Sequence, residues 1–332
     1  MKFIQIHSNK GIPKYKQIIA SIEKNIEEGN LKKDEKLPSI NKVRLEFSLS
    51  RDTVLLAYDE LKKRGIIYAI LGKGYYVKST EINIQHKVFL LFDELNSFKE
   101  DLYNSFLTNV GKGIQVDIFF HHFNIKVFQK LIDDSNGNYT KYIIMPTNLI
   151  GAATAIKTLP VNEVYILDQT NPELKFLPAI YQNHQKDIYN CLLLGKNKLN
   201  KYQNIILIFP GFREPLGMKI GFENFCNDNK FSNEVIIEFK NREIQKGEVY
   251  IIPNDRDLVR VIEKSKIQNL KIGEDFGVIS YNETPLKKIV ENGITTISTN
   301  FELMGKILAQ MILKNQKDQI ENKCNLILRN SL

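Results

Sequence analysis

This sequence predicts an α/β protein in two parts, on three observations. Its positive charge is gathered at the front: residues 1 to 80 hold 16 Lys and Arg against 9 Asp and Glu, which is +7 of the chain's +8, while the other 252 residues hold 30 against 29. The same front segment reads in order as helix, turn, helix, corner, helix and glycine-centred hairpin. Behind it, short continuous runs of β-branched and aromatic residues alternate with helical patterns. Continuous apolar runs, rather than strictly alternating ones, imply parallel sheets covered by helices on both faces.

The front elements follow one by one. Tyr15, Ile18, Ile19, Ile22 and Ile26 recur at helical spacing, and Gly29 stands where a helix terminator belongs. Leu37-Pro38-Ser39 makes a constrained turn in which Ser39 caps a short second helix with an inward face of Ile40, Val43 and Phe47. Ser50 caps a third helix whose buried stripe is Val54, Tyr58 and Leu61 and which Gly65 ends; only Ser48 and Leu49 separate it from the second. Ile66 to Ile70 and Tyr75 to Val77 then flank Gly72-Lys73-Gly74, a hairpin tip. Those parts in that order make a winged helix-turn-helix. Arg51, Asp52 and Thr53 stand at the start of the third helix, where base edges in a major groove are reached, and the tip glycines let backbone approach a sugar-phosphate closely. Clustered Lys and Arg favour a polyanion because neutralised phosphates release counterions. The plainer alternative is a helical domain with an ordinary solvated basic face, which the ordered elements disfavour.

Tyr15-Lys16-Gln17-Ile18, Gly29-Asn30-Leu31, Glu35 to Ser39, Leu49 to Val54, Ala57 to Leu61 and Gly72 to Val77 closely resemble the DNA-binding domain of the GntR family of bacterial transcription regulators. The resemblance covers almost all of residues 13 to 78. It implies that Arg51 contacts operator DNA and that Gly72 sits at the wing tip against the minor groove. Two positions depart from the family pattern, Asn41 and Leu55, where Arg is common, and Lys42 and Arg44 are expected to supply phosphate contacts instead. The residues expected at DNA are Ser39, Lys42, Arg44, Arg51, Thr53, Gly72 and Lys73.

In the larger part the runs are Val88 to Phe92, Val116 to Phe120, Tyr142 to Met145, Val164 to Leu167, Ile205 to Phe209, Val249 to Ile252 and Val278 to Ser280. They are followed by Asp93, His121-His122, Pro146-Thr147, Asp168-Gln169, Pro210-Gly211, Asn254-Asp255 and Asn282-Glu283. Polar groups at the carboxyl ends of parallel strands line the crevice where open α/β sheets bind ligands. Acids and amides together suit a polyhydroxylated ligand, since each accepts or shares hydrogen bonds with hydroxyls. Asp, Asn and Pro also begin ordinary loops, which is the plainer alternative.

Val249 to Asp255, Gly277 to Thr284 and Thr295 to Gly305 resemble the corresponding stretches of the LacI-family effector domain. The resemblance is close from about 204 to 314, and in 86 to 200 only Val164 to Asp168 and Tyr181 to Asn190 carry it. It implies a periplasmic-binding-protein-like architecture of two lobes with parallel sheets, joined by crossing segments expected near 180 to 185 and 283 to 300. The LacI pattern places Arg three residues before the glycine that is Gly221 here; this chain has Met218, and Arg213 is expected to replace it. The expected ligand contacts are Asp93, Asp168, Gln169, Arg213, Asn254, Asp255 and Asn282.

Other classes find little support. Cys191, Cys226 and Cys324 are few, odd in number and without C-x-x-C spacing, which indicates buried small residues rather than a disulfide framework or zinc. His121 and His122, adjacent in a strand, would point to opposite faces and so not share a metal. No G-x-S-x-G, G-x-x-x-x-G-K-[ST] or H-E-x-x-H occurs, and about 250 residues behind the head are short for the pyridoxal-phosphate-dependent body some GntR-type proteins carry. No apolar run approaches the ~18 residues of a membrane span, and residues 1 to 29 lack a signal-peptide core. The expectation is a cytoplasmic, homodimeric, cofactor-free and metal-free regulator, not an enzyme. Residues 1 to 80 would bind double-stranded operator DNA and residues 81 to 332 a sugar-like effector. The alternative is a sugar-binding or sugar-processing protein with an attached regulatory head.

Overall fold

The computed structural model describes residues 3–7, 12–80, 82, 86–211, 213–240 and 242–332. Helix α1 (Lys14–Glu27) buries Ile18, Ile19, Ile22 and Ile26, and Gly29 beyond it takes φ +73°. In α2 (Ile40–Phe47) the Ser39 hydroxyl accepts from Lys42 N, and in α3 (Arg51–Lys63) the Ser50 hydroxyl accepts from Thr53 N. Each such cap contributes about 1 kcal/mol, because it satisfies a helix-end amide that water would otherwise have to serve. The three helices close on one core in which Ile18, Ile22, Val43, Val54, Ala57, Tyr58 and Leu61 are fully buried. Burying each large apolar side chain contributes roughly 1.5–3 kcal/mol.

Strands β1 (Ile67–Ile70) and β2 (Gly74–Val77) pair antiparallel from Ile67 against Val77 to Ile70 against Gly74. Their turn is closed by Lys73 N donating to Ile70 O, with Gly72 at φ +74°, a left-handed conformation that disfavours a Cβ. The segment before α2 bridges onto β2, a pairing that the sequence reading lacked. Leu37 N donates to Tyr75 O and Val77 N to Glu35 O, with a bridge between Lys36 and Tyr76.

The rest of the chain is built on two six-stranded sheets. In chain order come β3 (His86–Phe92), α4 (Ser97–Val110), β4 (Ile114–Phe120), α5 (Ile125–Ser135), β5 (Lys141–Ile144), α6 (Ala152–Ile156), β6 (Val164–Asp168), β7 (Ala179–Tyr181), α7 (His184–Leu194) and α8 (Lys196–Leu199). They are followed by β8 (Asn204–Ile208), α9 (Leu216–Asn229), β9 (Ser232–Ile236), β10 (Glu248–Ile252), α10 (Asp255–Ile267), β11 (Gly277–Tyr281), β12 (Thr295–Thr299), α11 (Phe301–Leu313), β13 (Gln319–Glu321) and β14 (Cys324–Ile327). The first sheet has the order β13-β7-β6-β5-β3-β4, and the second β14-β12-β11-β10-β8-β9. β3 pairs parallel with β4 and β5, β7 with β6 and β13, and β8, β9, β10, β11 and β12 with their neighbours, while the edge strand β14 runs antiparallel to β12.

Internal contacts divide the chain into two compact units: Met1–Asp93, Val110–Met145 and Ile150–Tyr165 form one, and Glu94–Asn109, Pro146–Leu149 and Ile166–Leu332 the other. In the second unit the central strands β8, β10 and β11 are buried on both faces, which is why their sequences are largely continuous apolar runs. Ile205, Leu207, Val249 and Ile251 pack with Phe222 and Phe225 on one face of the second sheet. Ile206, Ile208, Tyr250 and Ile252 pack with Val261 and Phe276 on the other. Still within this unit, the chain passes between the sheets after β7, after β12 and between β13 and β14. The passages bond to one another: Asn322 N donates to Tyr181 O, Asn300 N to Lys323 O, and the Asn322 amide to Asn300 O.

Candidate functional site

Two groups of expected site residues lie in different environments. In the head, Lys42, Arg44, Arg51, Gly72 and Lys73 are exposed, and none of these cations makes an ion pair among the described residues. Ser39 and Thr53 differ from them, because their hydroxyls are already engaged: Ser39 caps α2, and Thr53 Oγ1 meets Ser50 Oγ at 2.8 Å. These two residues set the entry of α2 and α3. Tyr58, fully buried, donates its hydroxyl to Pro38 O at 2.7 Å and holds the turn that leads into α2. The pKa of the Tyr75 phenol is raised by burial and by Asp59, against a lowering effect of the Arg51 guanidinium. Lys36, absent from the expected set, joins this face through its bridge to Tyr76, with Nζ 5.9 Å from the Tyr76 ring centroid. Only the strand pairing reveals it; its sequence neighbourhood reads as a loop.

In the body, several strands end in residues whose backbone is left-handed although they are not glycine: His122 at φ +49°, Thr147 at +49°, Asp168 at +72° and Asn282 at +58°. Such corners cost energy, and they concentrate where a backbone must aim a side chain. Asp93 is buried, and its carbonyl accepts from His122 N at 2.7 Å. Asp168 is also buried and accepts from Gln182 Nε2 at 2.5 Å, with Gln169 half-buried beside it. Asp255 and Asn282 are brought together by Lys287, whose buried ammonium bonds to Asp255, Tyr281 O and Asn282 O. Asn254 spends its side chain on Asp257, accepting from its N–H and donating to its carboxylate, so it serves the start of α10. Arg213 faces Glu94 at 2.8 Å.

A cavity of about 390 Å³ adjoins Asn282, lined among others by Phe98, Asp101, Glu283, Thr284, Ser298 and Phe301. The Phe98 and Phe301 rings lie 4.8 Å apart, and Ser298 accepts from Glu283 N. Arg329 grips Glu283 with two nitrogens, and this pairing with the Thr296 hydroxyl holds the carboxyl below its ordinary value against the opposing effect of burial. Sequence reading named Glu283 among the polar strand ends but not Ser298, because β12 is Thr-Thr-Ile-Ser-Thr, fully buried yet polar in composition.

One further expectation is corrected in detail. His121 and His122 do not share a strand: they follow β4 in a turn, with His121 buried 3.0 Å from Met145 O and His122 exposed. Cys191 Sγ and Cys324 Sγ, 133 residues apart in sequence, lie 3.9 Å from each other as free thiols. Among the described residues no group of three or more His, Cys, Asp or Glu could hold a metal ion, and no helix is long and apolar enough to cross a membrane.

Residues 14–77 match the bacterial regulatory proteins of the gntR family, and residues 200–332 match the periplasmic binding protein-like domain. The chain carries a GntR head on a periplasmic-binding-protein-like body. The head is 43% identical over 68 residues to the arabinose metabolism transcriptional repressor of Geobacillus stearothermophilus, a match that spans 20% of this chain and 19% of that protein. The body is similar in fold to a LacI family transcriptional regulator from Silicibacter pomeroyi, with TM-score 0.62 and 11% identity over 74% of this chain and 98% of that one. It is likewise similar to the trehalose repressor of Escherichia coli, with TM-score 0.60 and 12% identity over 73% and 99% of the two chains.

Proposed function

We propose that this protein is a sequence-specific, DNA-binding transcriptional regulator, a repressor whose grip on its operator is set by a sugar or sugar derivative. The observation that carries the reading is the GntR head itself, with unpaired Lys42, Arg44, Arg51 and Lys73 beside a glycine-tipped wing. In this reading residues 1 to 80 form the DNA-binding domain and 81 to 332 the effector domain. Arg51 reaches base edges, Lys42, Arg44 and Lys73 meet phosphates, Ser39 and Thr53 set the helices at the groove, and Gly72 lets the wing approach the backbone. The effector sits between two lobes against Asp93, Asp168, Gln169, Arg213, Asp255 and Asn282, with Asn254 supporting α10. Two copies act as a homodimer in the cytoplasm, without catalysis. Ligand shifts DNA binding only so far as it favours one lobe arrangement over the other, changing the spacing of two heads that must match half-sites about one helical turn apart.

The test pairs two measurements on the full chain. Fluorescence anisotropy with duplexes from upstream of its own gene should show binding that weakens steeply between 50 and 200 mM salt, as about five or more phosphate contacts require. Thermal shift with arabinose, trehalose and a monosaccharide panel should reveal a stabilising ligand, since a native-state ligand raises Tm by mass action. Salt-insensitive binding, or a product formed from the sugar, would overturn the reading in favour of a different module or an enzyme.

A further inference from the structure

Three neighbouring strands of the first sheet, β5, β6 and β7, end in buried polar atoms for which the described protein supplies no partner. Thr147 Oγ1 follows β5, Thr170 Oγ1 follows β6, and His184 Nε2 follows β7; all three atoms are shielded from solvent and make no hydrogen bond. Neighbouring strands place their following loops side by side. Leaving such an atom unpaired costs enough that native proteins rarely do so away from a ligand or ordered water.

His184 is the most informative of the three. It opens α7, directly after Gln182 and Asn183 carry the chain from one sheet to the other. The backbone that carries it is held by α9, which packs against the start of α7 so tightly that a Cβ on Gly217 would lie 3.6 Å from His184 Cβ, and one on Gly221 2.1 Å from Gln185 O. Burial pushes the imidazole below its ordinary pKa, and the nearby Asp168 carboxylate pulls it partly back. The ring is therefore neutral at physiological pH, with one nitrogen able to donate and one to accept. Asp168 accepts from Gln182 through one carboxylate oxygen.

We infer that His184, with Asp168, Thr147 and Thr170, reads adjacent hydroxyl groups of a neutral sugar, and that this set discriminates against phosphorylated sugars. The inference rests on the effector reading above. The chemistry follows from the donor set: hydroxyls and a neutral imidazole each donate or accept, and a carboxylate accepts, which matches a run of C–OH groups. A phosphate dianion only accepts, and here it would face the Asp168 carboxylate, while Arg213, the one cation among the proposed effector contacts, is already paired with Glu94. Position adds a consequence. A ligand bonded to His184 touches the segment that joins the sheets, so its binding is felt at the joint itself.

The experiment uses the full chain, wild type, His184→Leu and His184→Gln, against L-arabinose, trehalose, N-acetylglucosamine, glucose 6-phosphate and trehalose 6-phosphate, read by thermal shift and by the imidazole proton signals. Three results together are expected: a free sugar stabilises the wild type and shifts the His184 resonances, its phosphate does neither, and His184→Leu keeps the ligand-free Tm while weakening the sugar about tenfold or more. The Gln variant, which keeps one donor and one acceptor, should fall between. Sugar binding unchanged in both variants, or resonances unmoved by a sugar that binds, overturns the role of His184 alone. Preference for the phosphates overturns the neutral-ligand assignment. A wild type stabilised by none of the free sugars or phosphates removes the effector reading and this inference with it. If His184→Leu does not fold, the Gln variant and the wild-type resonances still decide.

Discussion

Asp187→Asn should make the protein more stable, and increasingly so as pH rises. Asp187 lies in the first turn of α7, 8% exposed, and its Oδ2 has no hydrogen-bond partner. Burial and, after it, the negative Glu321 raise its carboxyl from 3.8 to about 7, against the opposing effects of Asn183 and Lys186. Tyr281 and Cys324 are further ionisable neighbours. The folded pKa is above the unfolded one, so the folded form is favoured while the group is protonated and loses ground as pH climbs from about 4 to about 7. A rise of about 3 units at 1.36 kcal/mol each sets a ceiling of about 4 kcal/mol on the penalty above pH 7. Asn has the same shape without the charge, and gives back at most about 1 kcal/mol of favourable helix-dipole interaction. Urea denaturation of both proteins from pH 5 to 8.5 should show a stability difference that grows toward pH 7.5 and then levels. A difference that is flat with pH, or that favours Asp187 at pH 8, would refute the reasoning.

Arg51→Ala should abolish duplex binding in anisotropy while leaving the Tm, and any sugar-induced rise in Tm, as in the wild type; loss of both would mean that the exposed guanidinium is holding the head together. Tyr58→Phe removes the hydroxyl that serves Pro38 O and should cost about 1–3 kcal/mol in chemical denaturation, with weaker DNA binding because the turn into α2 loosens. Gly221→Ala forces a methyl to within 2.1 Å of Gln185 O, a backbone atom that cannot step aside, and should cost about 1–3 kcal/mol; a denaturation midpoint equal to wild type would show that α7 and α9 are not so closely packed in solution.

The head was legible almost residue by residue because its rules are local. Ser39 and Ser50 cap helices through amides three residues away, Gly72 is chosen by a four-residue turn, and the isoleucine stripe of α1 needs only the 3.6-residue period. The body's strands were legible where burial on both faces demanded an unbroken apolar run, as in β6 and β10. They were not where the strand is polar or short: β12 buries threonines that bond to other chain segments, β9 is exposed at its start, and β13 and β14 are short edges.

Left to itself, the sequence determined the order of parts, the charged face of the head and the class of the body, since charge, caps and hydrophobic period act between residues close along the chain. Only the tertiary structure decided which polar groups are already spent and which stand open. It ties Asn254 to Asp257, Arg213 to Glu94 and Lys287 to Asp255, sets Cys191 against Cys324, and leaves Thr147, Thr170 and His184 with unpaired atoms. Those outcomes depend on partners far apart in sequence, and on how much water folding removes from each of them, a quantity that no local pattern encodes.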